Sequence, residues 1–167
     1  VRDGGLRAGK RAADRVSFYL STRTPGGVHP PHFKNTAASE TQIMPPPARI
    51  TISMLQHAGA PCEPLVRPGD PVLVGQRVGD SDQPVSAPVH SGVSGTVREL
   101  TELPLPGGRR ARAVVIDADG EQRIDPGITP PVIRNRADFV RAVRESGLVG
   151  LGGAGFPTHI KLNPDNA

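Results

Sequence analysis

The chain has 167 residues, a formal net charge of +4, one cysteine, four phenylalanines, one tyrosine and no tryptophan. That length suits one or two small domains with modest cores. The 20 glycines and 19 prolines, beside 36 % hydrophobic residues, point to short strands and frequent turns rather than long helices. A single thiol cannot close an internal disulfide, complete a structural zinc site or hold an iron–sulfur cluster. No apolar run approaches the length that crosses a bilayer, and none follows the basic start as a signal peptide would require. The pI near 10 invites a nucleic-acid reading. The excess charge is small and dispersed, however, aromatics for base stacking are few, and no nucleic-acid-binding motif is present, so no nucleic-acid partner is expected. The start at Val1 and the end just after a glycine motif read as a piece of a longer protein.

Residues 1–24 are polar and basic, with Arg7, Arg11 and Arg15 at four-residue spacing and Lys10 nearby. They are expected to form a basic N-terminal arm, either solvated or docked on anionic lipid or an acidic partner protein. Residues 25–48 are rich in proline, which fixes φ and removes backbone donors, and predict an extended lead-in. His29 and His32 are not read as a metal pair. Pro30 and Pro31 between them exclude the helical i, i+3 geometry, and no third ligand lies close in sequence.

From 49 to 117 the pattern is short strands with Gly or Pro at the corners. Ile50-Thr51-Ile52-Ser53-Met54 alternates; Pro64-Leu65-Val66 enters the turn Arg67-Pro68-Gly69-Asp70; Pro71-Val72-Leu73-Val74 follows. Then come Gly75-Gln76-Arg77-Val78-Gly79, an acidic hairpin, Val85-Ser86-Ala87-Pro88-Val89, Gly95-Thr96-Val97-Arg98-Glu99-Leu100 and, after the turn at Pro106-Gly107-Gly108, Ala113-Val114-Val115-Ile116. Such spacing argues a small all-β barrel or sandwich. After Pro130-Pro131, a helix is expected from Asn135 or Arg136 to Ser146, with Phe139, Val140 and Val143 on one face and Gly147 as its stop.

The β segment resembles the biotinyl/lipoyl barrel-sandwich pattern. Carriers of that kind bear a modified lysine at the tip of a hairpin, whereas here the tip reads Gly79-Asp80-Ser81-Asp82-Gln83-Pro84. An amide-linked arm needs a primary amine, so a carrier role is closed. Asp80 and Asp82 lack the further oxygen ligands of a calcium loop and are read as a solvated tip. His90 beside Ser91 has no third orienting group, and packing or a hydrogen bond to loop backbone is expected of it. The sequence signals no catalytic residue and no metal ligand.

Gly150-Leu151-Gly152-Gly153-Ala154-Gly155 matches G-x-G-x-x-G, but it follows a helix instead of a strand, and no acidic partner lies downstream at the usual spacing. Backbone without Cβ atoms lets amide N–H groups approach a phosphate or a flat ring, and Lys161 could meet a phosphate. The other reading is a tight chain crossing that needs small residues.

Taken in order, Gly26-Gly27-Val28-His29-Pro30-Pro31, Gln56-His57-Ala58-Gly59-Ala60-Pro61, Pro68-Gly69-Asp70 with Val74-Gly75-Gln76, Ser86-Ala87-Pro88-Val89-His90 with Ser94-Gly95-Thr96-Val97, and Gly150 to Thr158 resemble the N-terminal part of the RnfC family, a set of subunits of the Rnf electron-transport complexes. The glycine segment is also similar to the flavin loop of the NADH-binding subunit of respiratory complex I, where an arginine commonly stands in place of Leu151. The resemblance implies a mainly β, barrel-sandwich hybrid module over 25–127, followed over 128–167 by the beginning of an α/β FMN- and NADH-binding domain. It further implies a peripheral subunit at the cytoplasmic face of the bacterial inner membrane. Such a subunit would work with the other Rnf subunits to move electrons between NAD(H) and ferredoxin through FMN and [4Fe-4S] clusters. Gly150, Gly152, Gly153 and Gly155 would form the flavin cradle, with Lys161 near the phosphate and Phe156 and Thr158 shaping the pocket. The family's cluster-binding cysteines are absent here, so this chain alone is expected neither to oxidise NADH nor to hold a cluster. The alternative is a docking scaffold for other subunits with no cofactor of its own.

Overall fold

The computed structural model describes residues 31–163. The basic arm over 1–24 and His29 lie outside the described residues. Contacts divide the chain into two units, Val1–Gln42 and Ile43–Ala167. In the first, residues 31–42 are exposed throughout, with a turn closed by the Ala37 N–H donating to the Lys34 carbonyl at 3.1 Å.

The second unit begins with two antiparallel sheets facing one core. Strands β1 (Arg49–Ser53), β2 (Glu63–Pro64), β3 (Pro71–Val72), β4 (Arg77–Asp80), β5 (Val89–His90), β6 (Gly95–Pro104) and β7 (Arg110–Ala118) form a four-stranded sheet, β1-β7-β6-β3, and a three-stranded sheet, β2-β4-β5. β7 pairs on both edges, with β1 from Arg49↔Asp117 to Ser53↔Ala113 and with β6 along its whole length. A strand with both backbone edges satisfied can be apolar on both faces, which is why Ala113, Val114, Val115 and Ile116 are all buried. Ile52, Met54, Cys62, Val66, Val72, Val78, Val89, Val93 and Val97 complete the core with Val114 and Ile116. Small β-branched side chains dominate because the short strands leave a thin interior.

Two strands differ from expectation. The segment over 85–89 pairs only at Val89–His90, since Pro84 and Pro88 supply no ladder donors. Its first half is instead a turn held by the Ser86 hydroxyl, within 3.0 Å of the Ser81 carbonyl and 3.1 Å of that of Gln83. β6 runs on to Pro104 and projects with β7 as a long hairpin, capped by the 3-10 turn Pro106–Gly108 at the predicted corner. Its Glu99, Thr101 and Glu102 carry no apolar pattern, so sequence periodicity ends where sheet pairing continues.

After β7 the chain returns to the module: the Val74 N–H donates to the Arg123 carbonyl at 2.8 Å and the Asp125 N–H to that of Val74 at 3.0 Å. The expected helix is α1 (Arg136–Glu145), opened by Asn135, whose side-chain oxygen accepts the Asp138 N–H at 2.9 Å. A single-turn helix, α2 (Thr158–Lys161), follows the glycine loop. Neither helix buries a residue completely.

Candidate functional site

The glycine-rich segment is a closed loop between the helices. Val149 bridges Pro157, the Gly150 N–H donates to the Phe156 carbonyl at 3.0 Å, and the Thr158 N–H donates to that of Leu148 at 3.0 Å. The turn over 151–154 projects from this neck, with Leu151 94 % exposed. A Cβ built on Gly152 or Gly153 meets nothing within 4 Å. The N–H groups of Leu151 and Gly152 donate to no acceptor among the described residues. Lys161 leans back over the neck, its Nζ 5.9 Å from the Phe156 ring centroid and 2.9 Å from where a Gly150 Cβ would stand. An exposed ammonium beside unsatisfied amide donors suits a negatively charged or electron-rich planar ligand.

The structure divides the four predicted cradle glycines. Gly152 and Gly153 form the open turn, and Gly150 sits in the neck under Lys161. Gly155 instead faces the β module, with φ at +69° and its carbonyl accepting the Ala58 N–H at 3.2 Å. A Cβ there would stand 3.0 Å from the Gln56 oxygen. Thr158 begins α2 with its N–H already committed to the neck, and Phe156 is half-buried beneath Lys161.

A second glycine fixes the other side. Gly147 leaves α1 at φ +69°, and a Cβ on it would come within 2.5 Å of the Pro88 oxygen and 3.1 Å of His90 Nδ1. His90 thus packs on the helix end and bonds to Glu145 backbone, the packing role expected of it. Burial lowers its pKa, and the Arg77 charge adds to the effect.

The solvated-tip expectation fails for Asp80, while Asp82 is exposed. The Asp80 side chain keeps only 19 % of its exposure and meets Arg144 of α1 twice, Oδ1 to Nη2 at 2.8 Å and Oδ2 to Nη1 at 3.4 Å. Arg77 Nη1 lies 3.0 Å from Asp80 Oδ2, Arg77 also contacts Glu145, and Arg144 Nη1 lies 3.1 Å from Glu145 Oε1. Arg144 further donates to the Ser81 carbonyl at 3.0 Å. Burial alone would raise the Asp80 pKa, but the hydrogen bonds from Arg144 and the Ser81 N–H, with the charges of Arg144 and Arg77, outweigh it and hold the carboxyl below its usual range. The tip is folded against α1 because two half-buried arginines need anionic partners.

Three buried groups carried no distinct sequence signal. His57 Nε2 accepts the Ala87 N–H at 3.1 Å and lies 3.6 Å from Cys62 Sγ, which in turn reaches the Ala87 carbonyl at 3.2 Å. Burial first, and then the Asp80 charge, push the Cys62 thiol up to about 11. That thiol is a core group without nucleophilic character. His159, in the groove between α1 and α2, has a buried Nδ1 without a hydrogen-bond partner, and burial followed by the Arg144 charge lowers its pKa. Among the described residues no group of three or more His, Cys, Asp or Glu side chains could hold a metal.

The RnfC barrel sandwich hybrid domain matches residues 22–121, more than half of the chain. The chain belongs to the RnfC family. It is 45 % identical over 141 residues to the RnfC subunit of the Na(+)-translocating ferredoxin:NAD(+) oxidoreductase complex of Acetobacterium woodii, covering 82 % of this chain and 32 % of that protein. The corresponding subunit of the proton-translocating ferredoxin:NAD(+) oxidoreductase complex of Clostridium ljungdahlii is 41 % identical over 145 residues, covering 83 % and 31 %. That of the ion-translocating oxidoreductase complex of Rhodobacter capsulatus is 36 % identical over 143 residues, covering 83 % and 28 %. The chain therefore spans about a third of the length of the curated relatives it matches. The barrel-sandwich assignment of the RnfC module agrees with the two-sheet core, and no helix of the described residues is long and apolar enough to cross a membrane.

Proposed function

We propose that this chain is the N-terminal portion of a peripheral RnfC subunit of an Rnf-type, ion-translocating ferredoxin:NAD(+) oxidoreductase, working with the other subunits at the cytoplasmic face of the bacterial inner membrane. In this reading residues 128–167 begin an α/β flavoprotein domain, and the turn over 151–154 is the part of its FMN site contributed by this chain. The observation that supports it is the open turn: Gly152 and Gly153 face empty space, Leu151 and Gly152 have unsatisfied N–H groups, and Lys161 stands at the neck. Those residues fit the group, since bare backbone admits a flat ring or phosphate and an ammonium offsets its charge. Phe156 and Thr158 shape the neck beneath it, Gly150 keeps Lys161 close, and Gly155 anchors the turn to the module. When bound, FMN would supply two-electron exchange with NAD(H) and one-electron exchange with iron–sulfur clusters. The [4Fe-4S] clusters belong to other parts of such a protein, because Cys62 is the one thiol here and it is buried in the core.

Titration of the chain with FMN, followed by flavin fluorescence, tests the reading. Saturable quenching that Gly153→Asp abolishes is the expected outcome, because a carboxylate would occupy the open turn and repel the ligand. Absence of quenching from both chains would remove the cradle and leave a subunit-docking scaffold. One feature favours that second reading for the segment after β7: Ile124, Ile128, Val132 and Ile133 are all more than half exposed along ten residues.

A further inference from the structure

The loop that carries the open turn hangs on the β module at three places. Gly147 rests on the Pro88 carbonyl and the His90 ring. The Gly155 carbonyl takes the Ala58 N–H. Between them, α1 is tied to the end of β4 by the ring of alternating charges Arg77, Asp80, Arg144 and Glu145. Only the last is strong enough to set where α1 lies along the module. The glycine contacts forbid side chains but supply little attraction, and a single backbone hydrogen bond adds little once its exchange with water is counted. α1 has no fully buried side chain, and its Phe139 remains 42 % exposed, so apolar packing does not hold it in place. Asp80 lies at the centre of the ring, touching both arginines, and its side chain is the least exposed of the four.

We propose that Asp80 is a positioning residue: its paired contacts to Arg144 and Arg77 lock α1 on the β module and thereby hold the turn over 151–154 in the orientation that presents its backbone donors. The hairpin tip acts as a mount, and the module and the glycine loop work as one rigid piece. The consequence for a bound flavin rests on the reading given under Proposed function, whereas the mount itself does not.

Hydrogen–deuterium exchange on the chain, with FMN titration in parallel, separates the two. Asp80→Asn should speed exchange of the amides over 136–157 on the order of tenfold, while β6 and β7 exchange as before. The charge-swapped pair Asp80→Arg with Arg144→Asp should restore most of the protection, which a loss of generic stability would not do. Glu145→Gln, which leaves Asp80 and Arg144 paired, should act in the same direction and more weakly, and it covers the case in which Asp80→Asn does not fold. Unchanged exchange over 136–157 in the folded variants, or acceleration spread equally over β6 and β7, would overturn the mount. If exchange rises as expected but FMN quenching is the same in wild type and Asp80→Asn, the mount stands and its link to the flavin fails.

Discussion

The two halves of the second unit are held by different physics. Between β1 and β7 the chain buries Met54, Val72, Val78, Val97, Val114 and Ile116 almost completely. From 128 onward only Pro157 is fully buried among the described residues, and α1 and α2 are secured by a capping asparagine, an ion ring and two glycines pressed on neighbouring backbone. The β half is held by removal of apolar surface from water, which is non-directional and spread over many residues. The helical half depends on a few directional contacts. One half should therefore lose stability gradually under mutation, while the other should come loose at single positions.

The largest effect is expected in the β core. Ile116→Ala should cost about 3 kcal/mol of unfolding free energy in chemical denaturation. It should also raise the rate at which a thiol reagent labels Cys62, because that buried thiol becomes reactive only when the module opens. A labelling rate unchanged in Ile116→Ala would show that Cys62 is reached by a local opening and that the core is not one cooperative body.

Gly147→Ala should act next in size and elsewhere. A left-handed φ costs an L-residue roughly 1–2 kcal/mol, and the added methyl meets the Pro88 carbonyl. Proteolysis or exchange should report opening of α1 and the glycine loop with the β-module midpoint unmoved. A single midpoint falling for both regions together would erase the contrast between them.

Acid should weaken the helical half first, through groups that face it. His90 and His159 have folded pKa values depressed below 6.5, so the unfolded chain takes up protons before the folded one does. Their contribution is fully present above about pH 6.5 and is lost as pH falls through that value toward the folded ones. Asp80 follows the carboxylate rule: its stabilisation is present above about 3.9 and disappears as pH drops through its lowered folded value. Thermal melts across pH should show two steps, and His90→Gln should shrink the upper one and spare the lower. A lower step that survives in Asp80→Asn would assign it to other carboxylates.

The smallest effect is expected at the outer hairpin. Arg110 pairs with Glu102 at 2.7 Å, but both side chains are more than half exposed. Arg110→Ala should change the melting midpoint by less than the equivalent of about 0.5 kcal/mol. A larger loss would mean that the projecting hairpin supports the core.

The order of the strand corners, the turn at Pro106-Gly107-Gly108 and the start of α1 at Asn135 follow from local chemistry, because glycine, proline and a capping side chain act within a few residues of themselves. The glycine loop was legible for the same reason, as a stretch of backbone lacking Cβ atoms. Its division into an open pair, Gly152 and Gly153, and a packed one, Gly155, was not, since that depends on Gln56 and His57 arriving from a distant segment of the chain. Asp80 reads in isolation as a solvated carboxylate in a polar turn. Arg144, 64 positions away, turns it into a half-buried ion-pair partner. What the amino-acid sequence determined alone was the β-rich character, the family and the location of unusual backbone, all of which are local or cumulative properties. Which of those polar and glycine residues face solvent and which join the halves was decided only by the tertiary structure, because Coulombic and steric contacts act over a few ångströms of space regardless of separation along the chain.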